Sequence, residues 1–270
     1  MLRVREIFSK TILSRSRIYG VDYALNPYLG CQHGCVYCYA RFMAKGVHRG
    51  EEWGSFVDVK VNALKLLASE VRRKPKGVVL LSSVTDAYQP LERRYEITRG
   101  CLRLLVEHGF PVTILTKSNL VLRDVDILGR GDSEVGLTIT TMEDGVKKVF
   151  EPNSPTVKER LEALWTLHDE GVKTYAFLGP MLPYLSEIRL GELLDKLCEV
   201  CVNHVIFDRL NIKAGNWLPI RRALERHFPE MVKKFEFVLF SPWGEQYYRN
   251  LKARLSRMCL ERGLKYVFCY

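Results

Sequence analysis

The sequence predicts an α/β fold: a parallel sheet, closed or partly closed into a barrel, followed by a C-terminal extension. Two patterns carry this expectation. Short β-rich runs alternate with helix-like segments from about Val21 to about Lys213, and past Asn211 the alternation gives way to helix-like segments around a short apolar strand near Phe237.

In chain order, strands are expected at Asp22 to Asn26, Val78 to Ser83, Val112 to Thr116, Val135 to Thr140, Lys173 to Leu178 and His204 to Asn211. Amphipathic helices are expected between them at Asn62 to Arg73, Glu96 to His108, Asn119 to Leu128, Pro155 to Glu170 and Ile188 to Val202. This spacing makes βαβ units, which carry their chemistry at the carboxyl ends of the strands. Gly77, Gly109 and Gly171 each follow a helix and precede a strand, as C-terminal caps do, and Pro155 starts a helix capped by Ser154. The division expected is a basic segment over 1–20, a core over 21–213 and a basic, mostly helical extension over 214–270.

With 270 residues, 47% hydrophobic and 27% charged, the chain can build and solvate one sizeable core, which excludes a disordered or fibrous protein. No apolar run approaches the roughly 20 residues that span a bilayer, and the N-terminus lacks a signal-peptide core, so a cytoplasmic protein without membrane contact is expected. The net charge of +10 is uneven. Residues 1–20 carry five basic and one acidic residue and residues 209–270 thirteen and five, leaving the middle near neutral with 23 against 25. Two basic ends fit either a grip on DNA or RNA or a well-solvated surface.

Eight cysteines are too few for a disulfide scaffold in a chain of this length, and three of them fall within eight residues. Cys31, Cys35 and Cys38 have the spacing C-x3-C-x2-C in a loop that also holds Gly30 and Gly34. Such a loop can present three thiolates to one face of a [4Fe-4S] cubane, leaving the fourth iron for a small-molecule chelator. The other reading is a Cys3His zinc site completed by His33, which zinc motifs disfavour because they draw their ligands from separated pairs.

The segment Asn26-Pro-Tyr-Leu-Gly-Cys31-Gln-His-Gly-Cys35-Val-Tyr-Cys38, with aromatic Tyr37 before the third cysteine, resembles the signature of the radical S-adenosylmethionine (SAM) superfamily. Thr85-Asp-Ala-Tyr-Gln-Pro-Leu-Glu92, Thr116-Lys-Ser118 and Glu151-Pro-Asn-Ser-Pro155 narrow the resemblance to the branch that includes spore photoproduct lyase and DNA repair photolyase-like proteins. It covers roughly Val21 to Asn211. It implies a partial (β/α)6 TIM-type barrel of the radical SAM kind, a [4Fe-4S] cluster on Cys31, Cys35 and Cys38, SAM as second cofactor and an electron donor of flavodoxin or ferredoxin type. The implied chemistry is reductive cleavage of SAM to a 5′-deoxyadenosyl radical that takes hydrogen from a substrate.

The resemblance also points to SAM contacts at the strand ends. Lys117 is the candidate for the SAM carboxylate, as a compact point charge, against the alternative of an ordinary solvated lysine. Ser83, Thr85 and Asp86 are candidates for the amino group, although such residues also build turns. Thr138 and Thr140 share one strand face and are candidates for the ribose, and Tyr37 and Tyr39 border the adenine or pack the loop. Glu151, followed by proline, leaves an acid near the mouth that orients substrate or SAM. Spore photoproduct lyases carry a hydrogen-donating cysteine at a position read here as Ser83. An O–H bond is much harder to break homolytically than S–H, so another substrate is implied.

Cys198, Cys201, Cys259 and Cys269 are read as core residues, against a second metal site or a Cys259 to Cys269 bridge. Trp217, Trp243, Tyr247, Tyr248 and Tyr266, set among Arg221, Arg222, Arg249, Lys252, Arg254 and Arg257, have the composition of a surface that stacks bases and tracks phosphates. The open alternatives are a radical SAM enzyme for a peptide or small metabolite, and a non-catalytic metal-stabilised nucleic-acid-binding protein.

Overall fold

The computed structural model describes every residue except Met1, Lys45, Lys213 and Ala214. The chain enters through strands β1 (Arg3–Ile7), β2 (Leu13–Arg15), β3 (Tyr23–Leu25), β4 (Tyr28–Leu29) and β5 (Phe56–Lys60), with the cysteine loop between the last two. Strands then alternate with helices. They run α1 (Ala63–Glu70), β6 (Val79–Leu81), α2 (Glu92–Tyr95), α3 (Ile97–Glu107), β7 (Val112–Thr116), α4 (Val125–Leu128), β8 (Ser133–Thr138), α5 (Asp144–Phe150), α6 (Val157–Asp169), β9 (Lys173–Met181), α7 (Leu190–Glu199) and β10 (His204–Arg209). Helices α8 (Trp217–His227), α9 (Val232–Phe240) and α10 (Gly244–Leu260) and strand β11 (Tyr266–Phe268) complete the chain.

The main sheet runs β11-β10-β9-β8-β7-β6-β3-β2. Neighbours from β3 to β11 are parallel, and β2 lies antiparallel on β3. All six expected core strands are present, and because β2 and β11 stand at opposite edges the structure is a partial (β/α)6 barrel. A second sheet, β1-β5-β4, flanks the cysteine loop.

Side chains alternate across these strands. On β7 and β10 the residues Val112, Ile114, Val205 and Phe207 are buried under the helices in the main core. Thr113, Leu115, His204, Ile206 and Asp208 face the lumen and are only half-buried. The lower lumen is plugged by Tyr175, whose hydroxyl donates to the Ile114 carbonyl at 3.1 Å and whose ring stacks on His204 at 5.2 Å. Gly136 makes room for that ring, since a Cβ there would stand 2.2 Å from it. The plug leaves the open lumen at the carboxyl ends of the strands.

The N-terminal segment is built into the fold through Glu70. Its carboxylate accepts from the Thr11 hydroxyl at 2.7 Å, from the Ile12 and Leu13 amides at 3.1 and 2.8 Å, and from Lys74 at 2.9 Å. Burial opposes ionisation, but these donors hold its carboxyl below the usual range.

Several local expectations are corrected. The expected strand near Phe237 is helix α9, because Phe235 and Val238, three apart, are buried while Phe237 is exposed. The extension also adds β11 to the sheet. The helix expected over Asn119 to Leu128 starts as a 3-10 turn, Asn119–Asp124, before α4. Helix α6 is capped by Thr156 in a capping box with Glu159, not by Ser154. Gly109 and Gly171 adopt the positive φ of caps, whereas Gly77 lies beyond α1, packed on Asp22. Of the four cysteines expected in the core only Cys259 is buried; Cys198 is half-buried, and Cys201, past the end of α7, and Cys269 are exposed. The boundary placed between 213 and 214 lies outside the described residues.

Candidate active site

The cysteine loop leaves β4 through Gly30, whose φ of +87° and whose clearance of 2.4 Å between a would-be Cβ and the Phe56 carbonyl admit glycine alone. Distant residues fix its backbone. Thr85 donates to the Gly30 carbonyl at 2.5 Å, the Gln32 amide donates to Gln89 at 3.0 Å, and Asn153 donates to the Gln32 carbonyl at 3.0 Å. At its far end Asn216, fully buried at the start of α8, donates to the Tyr37 carbonyl at 2.9 Å.

All eight cysteines are free, and Cys31, Cys35 and Cys38 turn inward. Burial pushes all three thiols up, Cys35 to about 12, and repulsion from the neighbouring cysteines adds to it at Cys31 and Cys35. Buried thiolates of this kind need a compensating cation. Among the described residues no three His, Cys, Asp or Glu side chains converge on one metal ion, as zinc–sulfur bonds of about 2.3 Å would require. The His33 ring is also taken up elsewhere. Its Nδ1 stands 3.2 Å from the Asn153 carbonyl and its Nε2 lies 3.3 Å from Asp86, within ion-pair distance but out of line for a hydrogen bond. The donor set therefore fits an iron-sulfur cluster, which spreads three sulfurs over three irons, better than a Cys3His zinc site.

Lys117 follows β7 on its lumen side. Its ammonium lies 5.7 Å above the Tyr37 ring and has no hydrogen-bond or ion-pair partner among the described residues. Burial opposes its charge, yet Cys35 and Glu151 hold its pKa up. Beneath it Glu151 is completely buried and paired with the equally buried Arg160 at 2.5 Å. Glu151 also accepts from the Tyr37 hydroxyl and, at 3.0 Å, from Thr140. Burial opposes ionisation of Glu151, but Arg160, Lys117 and the Tyr37 bond hold its carboxyl down at about 2. Glu151 is thus the buried support of the cysteine loop, not an acid at the mouth.

The other expected SAM contacts divide. Asp86 is occupied as a clasp, accepting from Thr116 at 2.6 Å and from the Lys117 and Tyr88 amides at 2.9 Å each, and these bonds with His33 hold its carboxyl low despite burial. Thr85 and Thr140 serve the loop and Glu151, and Thr140 lies past the end of β8. Ser83 lines the mouth, its hydroxyl accepting from Asn26 at 3.1 Å and its carbonyl from Tyr39. Thr138 sits at the end of β8, where its carbonyl accepts from Arg160 at 2.8 Å.

Three residues of this site were not anticipated: Arg160, Asn216 and Asp208. Asp208 faces the lumen at the end of β10, makes no salt bridge among the described residues, and has its carboxyl raised by burial. Alternation along β10 was the available signal for it.

Residues 25–197 match the family model of the radical SAM superfamily. The chain belongs to that superfamily. Membership implies a [4Fe-4S] cluster and SAM as cofactors, and supports SAM-dependent radical chemistry. An uncharacterized protein of Methanocaldococcus jannaschii is 39% identical over 232 residues, 85% of each chain. The radical SAM Nα-GlyT isomerase of Pseudomonas phage M6 is 26% identical over 99% of this chain and 55% of its own length. Spore photoproduct lyase complexed with a dinucleoside spore photoproduct shares the fold, with a TM-score of 0.73 at 15% identity, covering 99% of this chain and 82% of the lyase. Among the described residues no helix is long and apolar enough to cross a membrane.

Proposed function

We propose that this chain is a radical SAM enzyme that uses a cluster on Cys31, Cys35 and Cys38 to abstract hydrogen from a nucleic-acid substrate. The observation that carries the SAM site is the partnerless, half-buried Lys117 ammonium beside the cysteine loop. It meets the SAM carboxylate; Ser83 and Asp208 offer oxygen acceptors to the amino group or substrate, and Thr138 lies toward the ribose. When bound, the reduced cluster supplies the electron that splits SAM into methionine and a 5′-deoxyadenosyl radical. The protein's own part is positional: Glu151 and Arg160 fix Tyr37 beneath Lys117, Asp86 holds the Lys117 backbone, and Tyr175 closes the lumen from below.

Nucleic acid is favoured as substrate by the fold shared with a lyase bound to a dinucleoside lesion. Serine in place of the donor cysteine argues for a reaction other than that lyase's. The stacking surface expected on the extension does not contribute: Tyr248 is buried, Tyr247 bonds Glu187 and Trp217 packs on Phe240, leaving Trp243 exposed. The test is anaerobic reconstitution with iron and sulfide, reduction by dithionite and addition of SAM, with and without oligonucleotides. Cys35-dependent 5′-deoxyadenosine that increases with DNA or RNA supports the reading. Formation that responds only to peptides or metabolites moves the substrate to that class, and a loaded protein that never binds SAM sinks the enzyme reading.

A further inference from the structure

Behind the cysteine loop, on the side away from the lumen, lies an open cavity of about 730 Å³. Its floor is the loop backbone itself at Gly34 and Val36, the residues on either side of Cys35. Its walls carry Arg41, Arg222, Arg226 and His227 against the single carboxylate of Glu52. Arg41 donates to the Val36 and Cys35 carbonyls at 3.2 and 3.4 Å, so one wall is hydrogen-bonded directly to a cluster-ligand candidate.

Arg222 and Arg226 lie four residues apart on one face of α8. Both are exposed and make no salt bridge among the described residues, whereas Arg221 beside them pairs with Glu225 at 2.9 Å. The helix that presents them is rigidly referenced to the loop. Ile220 and Leu224 are buried beneath it, and Asn216 at its start grips the Tyr37 carbonyl. A fixed patch of unpaired positive charge thus stands beside the two residues that flank Cys35.

We propose that this cavity is the docking surface for an acidic one-electron carrier protein of the flavodoxin or ferredoxin class. The inference rests on the radical SAM reading above and adds where the electron enters. In the docked pair one electron leaves the reduced carrier, which is oxidised, and is taken up by the cluster, which is reduced; no proton or leaving group moves. Redox encounters of this kind are small, weak and steered by charge, which suits three arginines around an open cavity better than it would suit a stable complex.

The test uses full-length protein and an acidic flavodoxin in two arms. Binding of oxidised flavodoxin to cluster-free protein is measured between about 0.05 and about 0.5 M NaCl, a range over which exposed charges become screened. Stopped-flow reduction of the loaded protein is measured with reduced flavodoxin and, separately, with dithionite. For R222E/R226E the expectation is loss of flavodoxin binding and about tenfold or more slower reduction by flavodoxin. Reduction by dithionite, iron content and the SAM-induced change in the cluster's EPR signal should stay at wild-type values. The milder R222Q/R226Q should fall between, which separates docking from any folding defect in the charge-reversed form. Wild-type rates with flavodoxin in both variants would overturn the proposal, as would loss of oligonucleotide retention with flavodoxin reduction unchanged, which would assign the arginines to phosphate. A protein that loads no cluster or shows no SAM-induced EPR change would instead overturn the enzymatic reading, while the cluster-free binding arm would still decide the docking surface.

Discussion

Glu151 and Arg160 face each other at 2.5 Å with neither side chain exposed, one following helix α5 and the other within α6. Their pairing holds Tyr37 and, through it, the stretch between the second and third cysteines. Removing one partner leaves a buried charge uncompensated, typically at a cost of about 3–5 kcal/mol. R160M should therefore lower the thermal midpoint of the cluster-free protein sharply. E151Q/R160M should cost less than the two single changes summed, because neither charge is then left alone. Calorimetry on the four proteins checks this, and simple additivity would contradict it.

Lys117 has a narrower role. K117A should leave iron and sulfide content at wild-type levels and weaken SAM binding about tenfold or more, the scale of one charge-assisted hydrogen bond of about 1.5–3 kcal/mol. Equilibrium dialysis against the loaded protein measures it. Unchanged SAM affinity would remove Lys117 from the site.

G30A tests the loop at its entrance. The new Cβ would collide with the Phe56 carbonyl at a φ that side chains rarely adopt. The expected result is lost stability together with iron occupancy below wild type, read by denaturation and by iron analysis after reconstitution. Full occupancy at wild-type stability would show that the loop relaxes freely.

The core strands were legible because their apolar runs and intervening amphipathic helices are long enough to declare their period. Strands β1, β2, β4, β5 and β11 lie outside that alternation, and the strand expected near Phe237 is helix α9 because consecutive apolar residues hide the three-residue spacing of the two that are buried. At the site, cysteine spacing identified the loop, since it is local. Arg160 and Asn216 act on Tyr37 from far along the chain, and nothing in their own neighbourhoods announces that role. Asp86, Thr85 and Thr140 are read from the sequence as SAM contacts, but which group each hydroxyl or carboxylate meets depends on tertiary geometry, and here they bond Thr116, the Gly30 carbonyl and Glu151.

Glu70 makes the attachment of the N-terminal segment depend on pH. Its carboxyl is held below the ordinary value of about 4.3. The stabilisation is fully present above that value and is lost as pH falls through the lowered folded pKa. Urea midpoints of wild type and E70Q, compared near pH 6 and again at a pH below the lowered folded pKa, should therefore differ most at the higher pH and converge at the lower. A difference that does not change with pH would show that Glu70 acts through packing and not through its charge.

The bonds that shape the cysteine loop span 57 residues to Gln89, 121 to Asn153 and 179 to Asn216. Contacts of such long separation form late in folding. On a ribosome, the thiols gain their final arrangement only after Asn216 at the start of α8 has emerged, long after the cysteines themselves. Iron-sulfur assembly factors would then meet either a pliable, exposed peptide during synthesis or a finished, enclosed loop after release. The timing of delivery, more than the affinity of the thiols, would set how much of the protein becomes active in a cell.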